Sequence, residues 1–528
     1  AIGLEFRVAK LLRVMPTSGL TGLVQITFLA WAGFTVGLLL GWSRVESLFL
    51  GACLCISSTM LVSKVFAQQP VDPDVRDHVL GVLVIQDVAA IALIAAMTGV
   101  AAGGGLEPGA LALTLLRLAG VLLGLLAGGM LVVPRLVRRV VRLGSAEVLA
   151  VTAVGLCFGM ALLAHALGYS VALGAFIAGM LVAESGEGAA IEHLLAPLRD
   201  IFAAIFFVSI GMGVEPAAAW DTLGTSLVVT AVVVSAQFVS VTGAGVLSGL
   251  GQRRSVIAAL ALGQIGEFAF ILAGIGVVAG VVRPTLLPIV VTVAILTAFT
   301  TPLLLRNANR VARAIDHRTP RRVQQVLSLY EAWIQRARSS APDQAWASAR
   351  RRALRALALD TAALLVLGAL TAAWFPQASA AIAGRLGVSG AAAGGGIAVL
   401  LLLLGSPLAA GVVRNGDVLA RHLAEQVAPE GGANGPGERA AAAALRAMVH
   451  LAIALSLGAP AIAVMRPLIG GPYGIAVLAL TLTTAAWLAW RAAGDVDQQL
   501  RSGTGRMVAR LAAQAAPSAD LSRSRAVP

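Results

Sequence analysis

Runs of about 20 apolar residues recur from one end of this chain to the other, the length a helix needs to cross a bilayer. Of its 528 residues, 58% are hydrophobic and 12% charged. Inside hydrocarbon each backbone N–H and C=O must find a partner within the protein, so a chain of this kind is restricted to helices or a closed barrel. Uninterrupted apolar runs, rather than strand-like alternation, select helices. The 58 glycines suit close helix packing in lipid. The expectation is an all-α polytopic membrane protein. After a partial first helix, apolar segments fall near 23–41, 47–66, 79–101, 110–133, 146–165, 169–185, 199–213, 225–249, 255–280 and 285–304, joined by short loops.

The net charge of +13 does not indicate nucleic-acid binding, because the charges lie between the apolar runs. Counting sides alternately, one face collects Arg7, Lys10 and Arg13, then Arg76, the 135–142 arginines, Arg199, Arg253, Arg254 and the arginines from 306 to 355. The other face receives little more than Arg44 and Arg283. That bias puts the basic loops and the C-terminus in the cytoplasm of a bacterial inner-membrane protein. Residues 306–352 read as a basic cytoplasmic linker, as either an amphipathic helix on anionic lipid or a plain solvated helix. An accessory region of four apolar segments spans 353–490, and 491–528 reads as a disordered polar tail. The opening AIGLEFRV reads as the tail of a helix that begins upstream. Cys53, Cys55 and Cys157 lie in apolar runs without zinc-type spacing and read as packing residues, and the histidines are scattered. No enzymatic constellation and no cofactor motif is visible.

Three apolar segments carry polar or glycine interruptions. Gln86 and Asp87 stand in the middle of the run from Val79 to about Val100. A carboxylate there costs on the order of 3 kcal/mol to insert, so it is expected to face a protein interior or a cavity and to act there. It can hold a proton or a cation, and not easily both. Gln86 can add a carbonyl oxygen without adding charge. Ser57, Ser58 and Thr59 interrupt a second segment, where they either open the helix and offer oxygens or bond back to their own turn. The third, GQIGEFAFILAGIG (263–276), sets Gln264 between Gly263 and Gly266 ahead of Glu267. Glu267 either lines a cation path or sits at the N-terminal dipole end of a broken helix. The segments around 57–59 and 263–276 occupy corresponding places in two halves, the pattern of an inverted-repeat transporter with discontinuous crossing helices.

These residues resemble the cation:proton antiporter-2 family, in its potassium/proton branch. The match rests on SSTMLVSKVFAQQPVDPDVRDHVLGVLVIQDVAAIALI (57–94), ALGYSVALGAFIAGMLVAES (166–185), IFFVSIGMGVEP (205–216), GQIGEFAFIL (263–272) and IGLEFR (2–7). It covers residues 1–305 and implies a sodium/proton-antiporter-like unit of thirteen helices, the first two missing here, that dimerises and moves by an elevator. It also implies that Asp87 carries proton and cation and that Ser57, Ser58 and Thr59 form the unwound break. Where the family often has a lysine, twelve residues before a closing glycine, this chain has Gln237. The nucleotide-binding domain of regulated members is replaced by the apolar segments after 353.

The reading from residues and resemblance together is secondary antiport of a monovalent cation, K⁺ ahead of Na⁺, against protons. The expected ion-binding set is Asp87, Gln86, Ser57, Ser58, Thr59, Glu267 and Gln264, with Gln237 in the lysine place. Membrane lipid and a second copy are the expected partners, with no nucleic acid and no cofactor. The alternatives are an uncoupled channel on the same scaffold, or a membrane sensor that transports nothing.

Overall fold

A computed structural model of the chain describes residues 8–69, 71–101, 108–167, 171–213 and 215–320, with scattered positions between 324 and 418. The accessory segments and the polar tail fall largely or wholly outside the described residues. All the regular elements among the described residues are helices. The chain divides into two compact units, residues 1–241 with 257–307, and residues 242–256 with 308–528.

The first unit opens with α1 (Val8–Leu39), a single helix of 32 residues. This corrects the expectation of a partial helix followed by a separate span at 23–41. The polar residues just before position 23 are absorbed by neighbours. Thr17 Oγ1 donates to the Val14 carbonyl of its own helix (3.0 Å). Ser18 and Thr21, both fully buried, pair with His78 of α4 (Pro73–Gly99): Ser18 Oγ donates to the His78 carbonyl (3.1 Å), and His78 Nε2 meets Thr21 Oγ1 (3.0 Å). With their hydroxyls satisfied across the interface, the helix has no reason to stop.

The apolar run at 47–66 forms two half-helices, α2 (Arg44–Leu54) and α3 (Thr59–Gln68). Then follow α5 (Pro108–Val141), α6 (Ala146–Ala166), α7 (Val171–Ala183), α8 (Gly188–Met212), α9 (Pro216–Asp221) and α10 (Leu223–Leu247). The run at 255–280 is also split, into α11 (Gln252–Ala261) and α12 (Phe268–Val278), before α13 (Leu286–Arg306) and α14 (Ala308–Arg318). Residues Thr17–Leu39 of α1, and α4, α6, α10 and α13, are long and apolar enough to cross a membrane.

One core gathers α1, α2, α4, α10, α12 and α13 around Phe49, Leu50, Leu54, Leu272 and Val290. A second joins α4 to α5, α6, α7 and α8 around Val137, Leu173, Ile177 and Leu181. Close approach replaces hydrophobic driving force in such contacts. Gly33 of α1 lies so near Gly51 of α2 that a Cβ on it would come within 2.7 Å of the Gly51 Cα.

The two halves repeat with a constant spacing of 208 residues. Gly37 packs on Ser47 as Gly245 packs on Ser255. Left-handed Gly41 (φ 76°) closes α1 as Gly249 (φ 77°) closes α10. The helices beginning at Arg44 and Gln252, which are broken ten or so residues later, stand at the same offset.

The two broken helices are capped differently at their outer ends. Ser43 and Glu46 form a reciprocal capping box at the start of α2. Glu46 also takes a bidentate pair from Arg283 (2.8 and 3.0 Å), whose guanidinium stacks over Trp42 (4.6 Å). The Arg283 hydrogen bond holds the Glu46 carboxyl down at about 2, against an ordinary value of 4.5.

In the second unit the matching place is Gly251, and a carboxylate from the linker occupies it. Glu331 Oε1 would lie 2.6 Å from a Cβ on Gly251. Gln252 Nε2 donates to Thr319 Oγ1 (2.9 Å) and Arg253 Nη2 to Asn309 Oδ1 (3.0 Å), so the first turn of α11 is tied to the linker at each step. Burial pushes the Glu331 carboxyl above its ordinary range, while Arg254 opposes the shift.

These two carboxylates predict opposite pH responses. Glu46 stabilises the fold above about pH 4.5, and its contribution is lost as pH falls from there toward about 2. Arg283→Gln is therefore expected to cost about 1 kcal/mol at pH 7 in detergent-solubilised thermal unfolding, with the gap to wild type closing in that acid window. Glu331 binds its proton more tightly when docked, so its contact weakens as pH rises through the carboxylate range and above it. Hydrogen exchange in the first turn of α11, corrected for intrinsic rate, is expected to quicken with rising pH in wild type and to lose that dependence in Glu331→Gln.

Candidate functional site

The two breaks meet as short extended segments running antiparallel. Ser57 pairs with Ile265 in a β-bridge, and the Gly266 N–H donates to the Ile56 carbonyl (2.8 Å). Ser57 Oγ donates to the Leu262 carbonyl (3.1 Å). A Cβ at Gly266 would stand 2.8 Å from the Ser57 carbonyl oxygen, so no side chain fits there without moving backbone. Each half-helix ending at the crossing leaves carbonyls exposed, and each one beginning there leaves N–H groups exposed. Two negative and two positive dipole ends therefore converge in one place.

Two other helices hold the crossing from either side, in parallel fashion. The Ser57 N–H donates to Gln86 Oε1 of α4 (2.9 Å), and the Ile265 N–H donates to Thr297 Oγ1 of α13 (3.4 Å). Gln86 is fully buried; Asp87, the next residue on α4, is half-buried.

The remaining predicted residues fall on the same crossing. Ser58 is the N-cap of α3, its Oγ accepting the Leu61 N–H (3.4 Å) and lying 3.4 Å from Glu267 Oε2. Glu267 is the N-cap residue of α12, with no side-chain bond to that helix's own amides. It therefore stands at a positive dipole end and beside Ser58 at once. Gln264 donates through Nε2 to the Ser58 carbonyl (3.4 Å), while its Oε1 is buried without a hydrogen-bond partner. Thr59 Oγ1 is likewise buried and unpartnered, so it does not bond back to its own helix.

Gln237 of α10 also reaches this place, through a residue that the sequence reading missed. Gln25 of α1 donates through Nε2 to Gln237 Oε1 (3.0 Å) and to the Cys55 carbonyl (3.1 Å). Its Oε1 accepts from Gln86 Nε2 (2.8 Å). The signal for Gln25 was a lone carboxamide in the apolar run 23–41. Thr297 sat among other threonines of α13 and carried no comparable signal. Among the described residues no lysine or arginine is buried, and no group of three or more His, Cys, Asp or Glu side chains could hold a metal ion.

A crossing of broken helices with carboxylates and uncharged oxygens around it can bind and release a dehydrated cation within the membrane. The chain is 27% identical over 318 residues to the K(+)/H(+) antiporter subunit KhtU of Bacillus subtilis, covering 60% of this chain and 78% of that one. It is 30% identical over 282 residues to the glutathione-regulated potassium-efflux system protein KefC of Salmonella heidelberg, covering 53% of this chain and 45% of that one. Among solved structures, the sodium proton antiporter MjNhaP1 of Methanocaldococcus jannaschii aligns with a TM-score of 0.44 at 18% identity, over 59% of this chain and 81% of that one. The family model for the transmembrane sodium/hydrogen exchanger matches residues 1–306, more than half of the chain, and the chain belongs to that family.

Proposed function

We infer that this chain exchanges a monovalent cation for protons across the membrane, with K⁺ favoured over Na⁺. The observation that carries the reading is the bond from the Ser57 N–H to Gln86 Oε1. It ties the residue next to Asp87 to the unwound break, where a desolvated ion can be met by oxygens. Glu267, Gln264, Ser58 and Thr59 border the same break and supply carboxylate, amide and hydroxyl oxygens for a hard monovalent cation. KhtU and KefC carry potassium in their names, which supports K⁺ as the favoured ion.

Asp87 holds the choice. Ionised, it attracts the cation; protonated, it loses its charge, and the ion departs. One carboxylate choosing between one proton and one monovalent ion gives a one-for-one, electroneutral cycle. Gln237 is consistent with that scheme, since an amide contributes no positive charge to the empty state. The supporting arrangement is a homodimer in the bacterial inner membrane, its basic loops cytoplasmic by the charge bias.

Asp87→Asn is expected to abolish K⁺-driven proton movement in proteoliposomes without altering the thermal stability of the protein. Wild-type exchange is expected to be insensitive to an imposed membrane voltage. Flux that survives Asp87→Asn refutes the carrier assignment, and flux that follows voltage without moving protons favours the uncoupled channel.

A further inference from the structure

Three glutamines, Gln25, Gln86 and Gln237, are each at most 1% exposed and form one hydrogen-bonded chain through the crossing. The chemistry at its two anchor points dictates how each amide is turned. The Ser57 N–H can only donate, so Gln86 must present Oε1 to it and Nε2 to Gln25. The Cys55 carbonyl can only accept, so Gln25 must present Nε2 to it, leaving Oε1 for Gln86. Gln25 is thus the hub, with both ends of its amide used. Gln237 is the open end, because its Nε2 is buried without a partner.

Resting on the exchange reading above, we propose that Gln25 is a positioning residue that sets the affinity of the cation site. It acts by holding the Gln86 carboxamide in register with the break. Two backbone groups of the break that follows α2, the Cys55 C=O and the Ser57 N–H, are tied to the same pair of amides. Remove the amide of residue 25 and Gln86 Nε2 becomes a buried donor with no acceptor, which costs enough to drive the carboxamide to another orientation. The Cys55 carbonyl loses its partner at the same moment. Neither change removes an oxygen or a charge from Asp87, so the turnover chemistry stays in place while the geometry that greets the ion changes.

The test is K⁺-driven proton flux in proteoliposomes of the full chain, titrated with K⁺, alongside thermal unfolding. Gln25→Met keeps length and removes both ends of the amide; it is expected to raise KM for K⁺ about tenfold while Vmax stays near wild type, with a lower unfolding temperature from the buried groups left unpaired. Gln25→Glu, whose protonated acid offers Gln86 the same acceptor and Cys55 a donor and gives up only the bond to Gln237, is expected to restore KM to within about threefold of wild type. If Gln25→Met does not insert, Gln25→Asn, which keeps the amide one methylene short, carries the same expectation of a raised KM at preserved Vmax. An unchanged KM in a folded variant, a fall in Vmax and stability alone, or a Gln25→Glu variant as impaired as Gln25→Met overturns the positioning role. Wild-type protein that moves no protons against K⁺ or Na⁺ overturns the exchange reading itself, and this inference with it.

Discussion

Opening a helix inside hydrocarbon strands backbone donors and acceptors where no water can reach them, and each one left unpaired costs on the order of a few kcal/mol. The organisation of the first unit is the answer to that cost. Ile56 and Gly266 pair backbone to backbone, Ser57 and Ile265 bridge, and the groups the bridge leaves over go to Gln86, Gln25 and Thr297. The side chains that satisfy the break therefore come from three different helices, and those helices are fixed around it. Gly266 is required by the same geometry, since the strands approach more closely than a Cβ permits.

The structure also gives Gln86 a holding role at the break. Gln86 looks from sequence like a ligand that lends its carbonyl oxygen to an ion. In the structure that oxygen accepts the Ser57 N–H, and the carboxamide works first as a strut between α4 and the break. Gln264 and Thr59, by contrast, carry buried side-chain oxygens with no hydrogen-bond partner. Buried acceptors of this kind are what a dehydrated cation can use without displacing an existing bond.

Much of this was legible in the residues. The interruptions at 57–59 and 263–267 fall where the helices break. The spacing of those interruptions announced two related halves, and the structure carries the relation into paired glycines and serines at a constant offset. What was not legible depended on partners distant in sequence. That residues 8–39 form one helix was hidden because the sequence does not reveal that His78 of α4 and the preceding turn take up the hydroxyls of Thr17, Ser18 and Thr21. Glu331 was an unremarked linker residue until the fold set its carboxylate against Gly251.

Sequence alone determined that this is a helical membrane protein, that two of its apolar segments are interrupted, and that Asp87 stands in the middle of a long apolar run. It could do so because length, apolarity and isolated charge in lipid are local properties with large free-energy costs. Only the tertiary structure decided that the two breaks face one another antiparallel, that Glu267 stands at a helix start beside Ser58, and that Gln25 joins Gln86 to Gln237. Those are relations between segments up to some two hundred residues apart, and hydrogen bonds of that kind are selected by packing, which no window of the chain contains.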